Sequence, residues 1–167
     1  MKKNGFTIIE LVIVIVLLGI MAVAVSISLA PSSAIRLDTA AKKVAADLRY
    51  ARSTAFSFAK WHGISFQADP VNIYTVYQTN GTTDATIKDP ASLGSNFIVN
   101  IPALYGGVSI VSANIAGGSK VEFSPIGVPY NDIKGAAIVS AGTITLQYMG
   151  NTKTISITPN TGYISII

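Results

Sequence analysis

The chain has 167 residues, half of them apolar, with a mean hydropathy of +0.50 and a net charge of +4; this length suits one modest domain plus an anchor rather than two domains. It contains no cysteine, which excludes disulfides, thiolate metal centres and thiol catalysis. The charge is localised: residues 36–60 hold Arg36, Lys42, Lys43, Arg49, Arg52 and Lys60 against Asp38 and Asp47, whereas from residue 61 onward four lysines face five carboxylates.

Residues 1–5 (MKKNG) form a short basic head, and Lys2 with Lys3 should hold this end in the cytoplasm, placing everything after residue 30 outside. Residues 6–30 read FTIIELVIVIVLLGIMAVAVSISLA, interrupted only by Thr7, Glu10, Ser26 and Ser28. As a helix this stretch would run roughly 38 Å, against a bilayer hydrocarbon thickness of roughly 30 Å. It carries a carboxylate, Glu10, whose insertion costs on the order of 2.5–3.5 kcal/mol, so a partner is expected for it. Two readings of the run compete. A secretory signal peptide would be cleaved after Ala22-Val23-Ala24 or Ser28-Leu29-Ala30. A retained anchor explains both ends better, because Glu10 breaks the approach to the apolar region and Pro31 directly follows the second candidate site.

Lys-Lys-Asn-Gly-Phe-Thr-Ile-Ile-Glu-Leu followed by an unbroken apolar helix resembles the class III leader of type IV pilins and type II secretion pseudopilins. The resemblance implies a prepilin peptidase that cuts after Gly5 and N-methylates Phe6, leaving Glu10 as the fifth mature residue. It also implies that the Glu10 carboxylate pairs with the α-ammonium of Phe6 on a neighbouring subunit. A buried charge matched only on docking in register is a registry device.

Gly19 lies mid-helix, where it permits either a close helix contact or local melting. Pro31 marks a kink or break, and Ser32 or Ser33 is available to cap a second helix. Leu37, Ala41, Val44, Leu48, Ala51, Ala55 and Phe58 recur at alternating steps of four and three, an apolar stripe expected to pack on a sheet. Charged residues fall off that stripe and are expected to be solvated, apart from i, i+4 ion pairs between Asp38 and Lys42 and between Lys43 and Asp47. The basic face with Arg49, Arg52 and Lys60 admits a nucleic-acid contact. The interspersed aspartates and the lack of interleaved aromatics make that contact less natural than a solvated face.

After Lys60 the pattern becomes short alternating segments separated by turn clusters. Strands are predicted at 63–67, 72–77, 97–101, 108–112, 120–123, 136–139, 143–148, 152–158 and 163–166. Gly150-Asn151 is predicted as a two-residue hairpin turn and Pro159-Asn160-Thr161-Gly162 as a second reversal. Residues 79–95 have loop composition and are expected to be the most mobile segment.

Three further segments are similar to the GspH/FimT family of minor pilins and pseudopilins: Ala51-Arg52-Ser53-Thr54-Ala55 on the helix, Val121-Glu122-Phe123-Ser124-Pro125-Ile126-Gly127, and Ile155–Ile164 (ISITPNTGYI). The chain departs from many relatives at Tyr163, where they place an arginine after the last glycine. This departure weakens a DNA-uptake role. Catalytic chemistry is not evident: His62 is the sole histidine and follows Trp61, there is no GxSxG, and Asp84 and Asp89 do not follow the spacing of a calcium loop.

The reading is therefore an α+β, pilin-like chain, with a long N-terminal helix packed on a C-terminal antiparallel β-sheet domain. Residues 1–5 are a leader, 6–30 a transmembrane and filament-core helix, 31–60 an amphipathic helix and 61–167 a β-rich periplasmic head. The expected function is that of a minor structural subunit of a type II secretion pseudopilus or a type IV pilus, the alternative being a DNA-binding minor pilin. No enzyme activity, cofactor or metal is expected. Expected partners are the prepilin peptidase, other pilins or pseudopilins and the inner membrane, with nucleic acid disfavoured; the location is single-pass in the inner membrane, then a periplasmic or surface filament.

Overall fold

The computed structural model describes residues 7–28, 33–92 and 94–167, in two compact units divided between residues 32 and 33. In the first unit, helix α1 (Ile8–Ser28) carries Glu10 in its first turn, and its side chains are described through Met21. Thr7 opens this helix: its Oγ1 and its carbonyl both accept from the Glu10 backbone N–H, at 3.4 and 3.1 Å. Thr7 followed by Glu10 is the spacing of a capping box, a signal the sequence reading passed over. Among the described residues no helix is long and apolar enough to cross a membrane, and the expected span of residues 6–30 extends beyond them at both ends. The proposed kink at Pro31 and a cap at Ser32 also lie outside the described residues.

The second unit is built on helix α2 (Ser33–Phe58). The apolar stripe is buried from Leu37 to Ala55, but Phe58 at its end is exposed, because the chain leaves the helix through Ala59 in the left-handed region (φ 51°). Ala40, Ala41, Ala45, Ala51 and Ala55 are fully buried. Small side chains let the backbone of α2 approach both sheets closely, the helix touching Trp61–Gln67 and Lys120–Phe123 of one and Gly142–Tyr148, Asn151–Ile157 and Ile164–Ile166 of the other.

The first sheet has the order β3-β2-β1-β6-β7. Its strands are β1 (Trp61–Gln67), β2 (Ile73–Thr79), β3 (Asp84–Thr86), β6 (Lys120–Phe123) and β7 (Pro129–Tyr130). A further strand, β4 (Ile98–Asn100), pairs with the same edge of β2 as β3 does, one end each. The second sheet has the order β10-β9-β8-β5, from β5 (Ser109–Asn114), β8 (Gly142–Tyr148), β9 (Asn151–Ile157) and β10 (Ile164–Ile166). Among the described residues the strand pairings within both sheets are antiparallel. Asn72 joins the sheets: its Oδ1 accepts from the Ile110 backbone N–H at 2.7 Å, while its own carbonyl accepts from Ile101.

Four local expectations are corrected. Residues 79–95, expected as loop, contain β3, and the turn before it is held by Asn80 Oδ1, which accepts from the backbone N–H groups of Thr82 and Thr83. The strand expected at 97–101 ends at Asn100, which instead caps the short helix α3 (Ile101–Tyr105) by accepting from Ala103 N–H at 3.0 Å, with Pro102 in the first turn and Gly106 closing it. This cap and proline are helix-start signals. Residues 136–139 form no strand; only Ala137 bridges to Tyr130. Finally, Tyr148 pairs with Asn151, so the hairpin turn is Met149-Gly150, one residue earlier than expected. Both turn residues have positive φ (48° and 80°), as a type I′ turn demands.

Candidate functional site

The second half of α2 carries the geometry of most interest. Arg52 and the turns on either side of it come from parts of the chain far apart in sequence. Its Nε donates to the Gly127 carbonyl at 3.3 Å. Gly127 (φ 82°) lies in the turn between β6 and β7, which Ser124 closes by donating its N–H to the Val128 carbonyl while its carbonyl accepts from Gly127 and its Oγ from Val128 N–H. Gly162 (φ 62°) ends the turn between β9 and β10, and a Cβ there would stand 2.6 Å from the Gly127 carbonyl and 3.1 Å from Arg52 Nε. Thus the turns of two different sheets and a helix arginine meet with no room for a side chain at Gly162. One turn along the helix, Arg49 Nη2 donates to the Ile164 carbonyl at 2.8 Å.

These arginines, with Ser53, Phe56, Ile126 and Gly127, line a cleft of about 330 Å³. Phe56 and Ile126 at its rim are 70% and 76% exposed. Lys60, the third member of the predicted basic face, lines a different cleft with His62 and Tyr50. The structure therefore brings Arg49 and Arg52 together and leaves Lys60 elsewhere. His62 is a packing residue, buried with its Nδ1 3.1 Å from the Lys60 carbonyl, and burial pushes its pKa down.

Two carboxylates, Asp47 on α2 and Glu122 on β6, are buried. Asp47, 5% exposed, accepts from Lys43 Nζ at 2.7 and 2.8 Å and from the Tyr74 hydroxyl at 2.5 Å. Burial pushes its carboxyl pKa up against the opposing pull of Lys43 and Tyr74, and the same burial raises Tyr74. The ion pair itself is the one read from the i, i+4 spacing, as is Lys42 with Asp38 at 2.6 Å. Glu122 is fully buried between Tyr77 Oη at 2.8 Å, Lys120 Nζ at 3.0 Å and Ile133 N–H at 2.5 Å. Lys120 also reaches Asp132 at 2.9 Å, tying the loop after β7 to the sheet. Each of these acids is already paired by neighbours, which is the geometry of a structural network; among the described residues no three His, Asp or Glu side chains gather as metal ligands would.

Residues 1–26 match the prokaryotic N-terminal methylation motif. The fold is similar to that of the type IV minor pilin FimU of Pseudomonas aeruginosa, with a TM-score of 0.51 at 16% identity over 78% of this chain and 87% of that one. It is also similar to the minor pseudopilin EpsH from the type 2 secretion system of Vibrio cholerae, with a TM-score of 0.57 at 9% identity over 79% of this chain and 96% of that one. The fold is thus pilin-like. A comparison with curated protein sequences returns no match.

Gly5 and Phe6, the predicted cleavage and methylation positions, lie outside the described residues. Glu10 stands in the first turn of α1 and is exposed. The three segments that carried the family resemblance are the ones that meet at Arg52, Gly127 and Gly162. Sequence reading found them one at a time; the 75 residues between Arg52 and Gly127 hid their contact. Tyr163, beside this junction, is exposed.

Proposed function

We propose that the chain is a minor structural subunit of a type IV pilus or of a type II secretion pseudopilus. The observation that carries this reading is the methylation motif over residues 1–26 on a chain whose remaining residues take a pilin-like fold. Prepilin peptidase removes residues 1–5 and methylates Phe6. Residues 6–30 anchor the subunit in the inner membrane and later enter the filament core, residues 31–60 carry the helix into the head, and residues 61–167 form the head outside. Glu10 takes the α-ammonium of a neighbouring Phe6 as its partner, so the carboxylate that is costly in lipid is matched only when the subunit docks in register. The engagement of Arg49 and Arg52 by backbone carbonyls, with Lys60 in a separate cleft, favours assembly over nucleic-acid binding.

Mass spectrometry of the protein recovered from membranes tests processing. The expected product begins at Phe6 and carries one methyl group on its α-nitrogen. A mature chain beginning at Val25 or Pro31 overturns the reading in favour of a cleaved signal peptide.

A further inference from the structure

We propose that the cleft between α2 and the β6–β7 turn binds an acidic peptide segment with apolar neighbours, presented by a partner protein. Arg49 and Arg52 are held in place by neutral acceptors, the carbonyls of Ile164 and Gly127. The ion pairs among the described residues, which join Lys42 to Asp38, Lys43 to Asp47 and Lys120 to Glu122 and Asp132, include neither arginine. Two cations with positions set by backbone, and with guanidinium N–H groups beyond the single bond each makes, form a preorganised set of donors for a carboxylate. The place of Arg52 is built into the fold, since a Cβ at Gly127 or Gly162 would stand 3.2 or 3.1 Å from its Nε and crowd it.

The rim selects among anions. Phe56 and Ile126 are exposed and line the same cleft as the cations, so a ligand gains by placing apolar side chains beside its carboxylates. A nucleic-acid strand would instead need a longer cationic track and several stacking aromatics. Here two arginines and one exposed phenylalanine line the cleft, and Lys60 lies in another. The volume, about 330 Å³, suits a few peptide side chains rather than a folded element. This proposal concerns a surface of the second unit and stands independently of how the amino terminus is processed.

The test uses the full chain in detergent micelles and fluorescence anisotropy at low ionic strength. The probes are a labelled peptide containing Leu-Asp-Glu-Phe, its neutral counterpart Leu-Asn-Gln-Phe, and a single-stranded oligonucleotide. The acidic peptide is expected to bind roughly tenfold or more tighter than the neutral one, with binding weakened by salt. Ile126→Asp, at an exposed turn position, is expected to weaken acidic-peptide binding by roughly tenfold by placing a carboxylate beside the arginines. Arg49→Gln, also on the surface, is expected to act in the same direction, and the Trp61 emission of both variants reports that they remain folded. No binding of the acidic peptide, equal affinity for the neutral one, or indifference to both substitutions in folded protein overturns the proposal. Tighter binding of the oligonucleotide than of the acidic peptide overturns it in favour of a nucleic-acid surface.

Discussion

A methyl group added at Gly162 would press on the Gly127 carbonyl at 2.6 Å, whereas one at Gly150 would meet no atom within 4 Å; both residues have positive φ, 62° and 80°. The pair separates crowding from backbone strain. Gly150→Ala is expected to lower stability by about 1 kcal/mol, the cost of a left-handed alanine, and Gly162→Ala by about 3 kcal/mol or more, because the Arg52 junction must also open. Urea unfolding followed by Trp61 fluorescence measures both, Trp61 being packed edge-on against Tyr130 with ring centroids 5.0 Å apart; equal losses would show that the junction is not tight. Asp47 gives a second test at this scale. Its pKa is raised above the ordinary 3.8, chiefly by burial, so the ionised carboxylate costs stability at neutral pH, and that cost is relieved as pH falls through the folded pKa towards the unfolded one. The unfolding free energy of the wild type, minus that of Asp47→Asn, should therefore rise as pH is lowered from about 7 to about 4. A difference that falls instead would mean that Lys43 and Tyr74 outweigh burial. The i, i+4 spacing made the Lys43 pair legible in the sequence. The burial of Asp47 was not, because it depends on Tyr74, 27 residues away.

Among the elements, α2 and the β8–β9 hairpin show how far periodicity carries. The stripe from Leu37 to Ala55 follows from the 3.6-residue helical period, and its burial holds to the residue because helix geometry repeats without reference to the rest of the chain. The hairpin is less self-contained. Strand alternation located β8 and β9, but a one-residue choice of turn decides which faces meet, and the pairing of Tyr148 with Asn151 places Met149 in the left-handed region at φ 48°. Asparagine tolerates that conformation far better than methionine and suits a type I′ turn before glycine. Met149→Asn is expected to stabilise the protein by about 0.5–1 kcal/mol, seen as a higher urea midpoint with an unchanged slope. Since Met149 is 76% exposed, little packing is lost by the change. A destabilised variant would place the turn elsewhere. The short strands β3 and β7 escaped the sequence reading for a related reason: a strand of two or three residues has no period to detect, and its existence rests on a partner edge.

For the whole molecule, the proposed assembly predicts a separation of processing from incorporation. Glu10→Ala removes the carboxylate but leaves the Gly5-Phe6 junction, so the chain should be cleaved and methylated normally while incorporation into sheared filaments falls to background, measured by immunoblot of filament and membrane fractions. Normal incorporation would remove Glu10 from the registry role. That prediction rests on the amino-terminal stretch, where the start of the methylation motif, an apolar run and one charge lie side by side in the chain. Local features of this kind, together with the helical period of α2 and the alternation of the longer strands, were determined by the sequence alone, because the physics behind them acts between residues near each other along the chain. The junction of Arg52, Gly127 and Gly162, the burial of Asp47 and Glu122, and the parting of Lys60 from Arg49 and Arg52 were decided only by tertiary structure. The junction depends on which turns the two sheets bring against α2, Asp47 on Tyr74 27 residues away and Glu122 on Tyr77 45 residues away, and contacts at such separations leave no period and no spacing for the sequence to display.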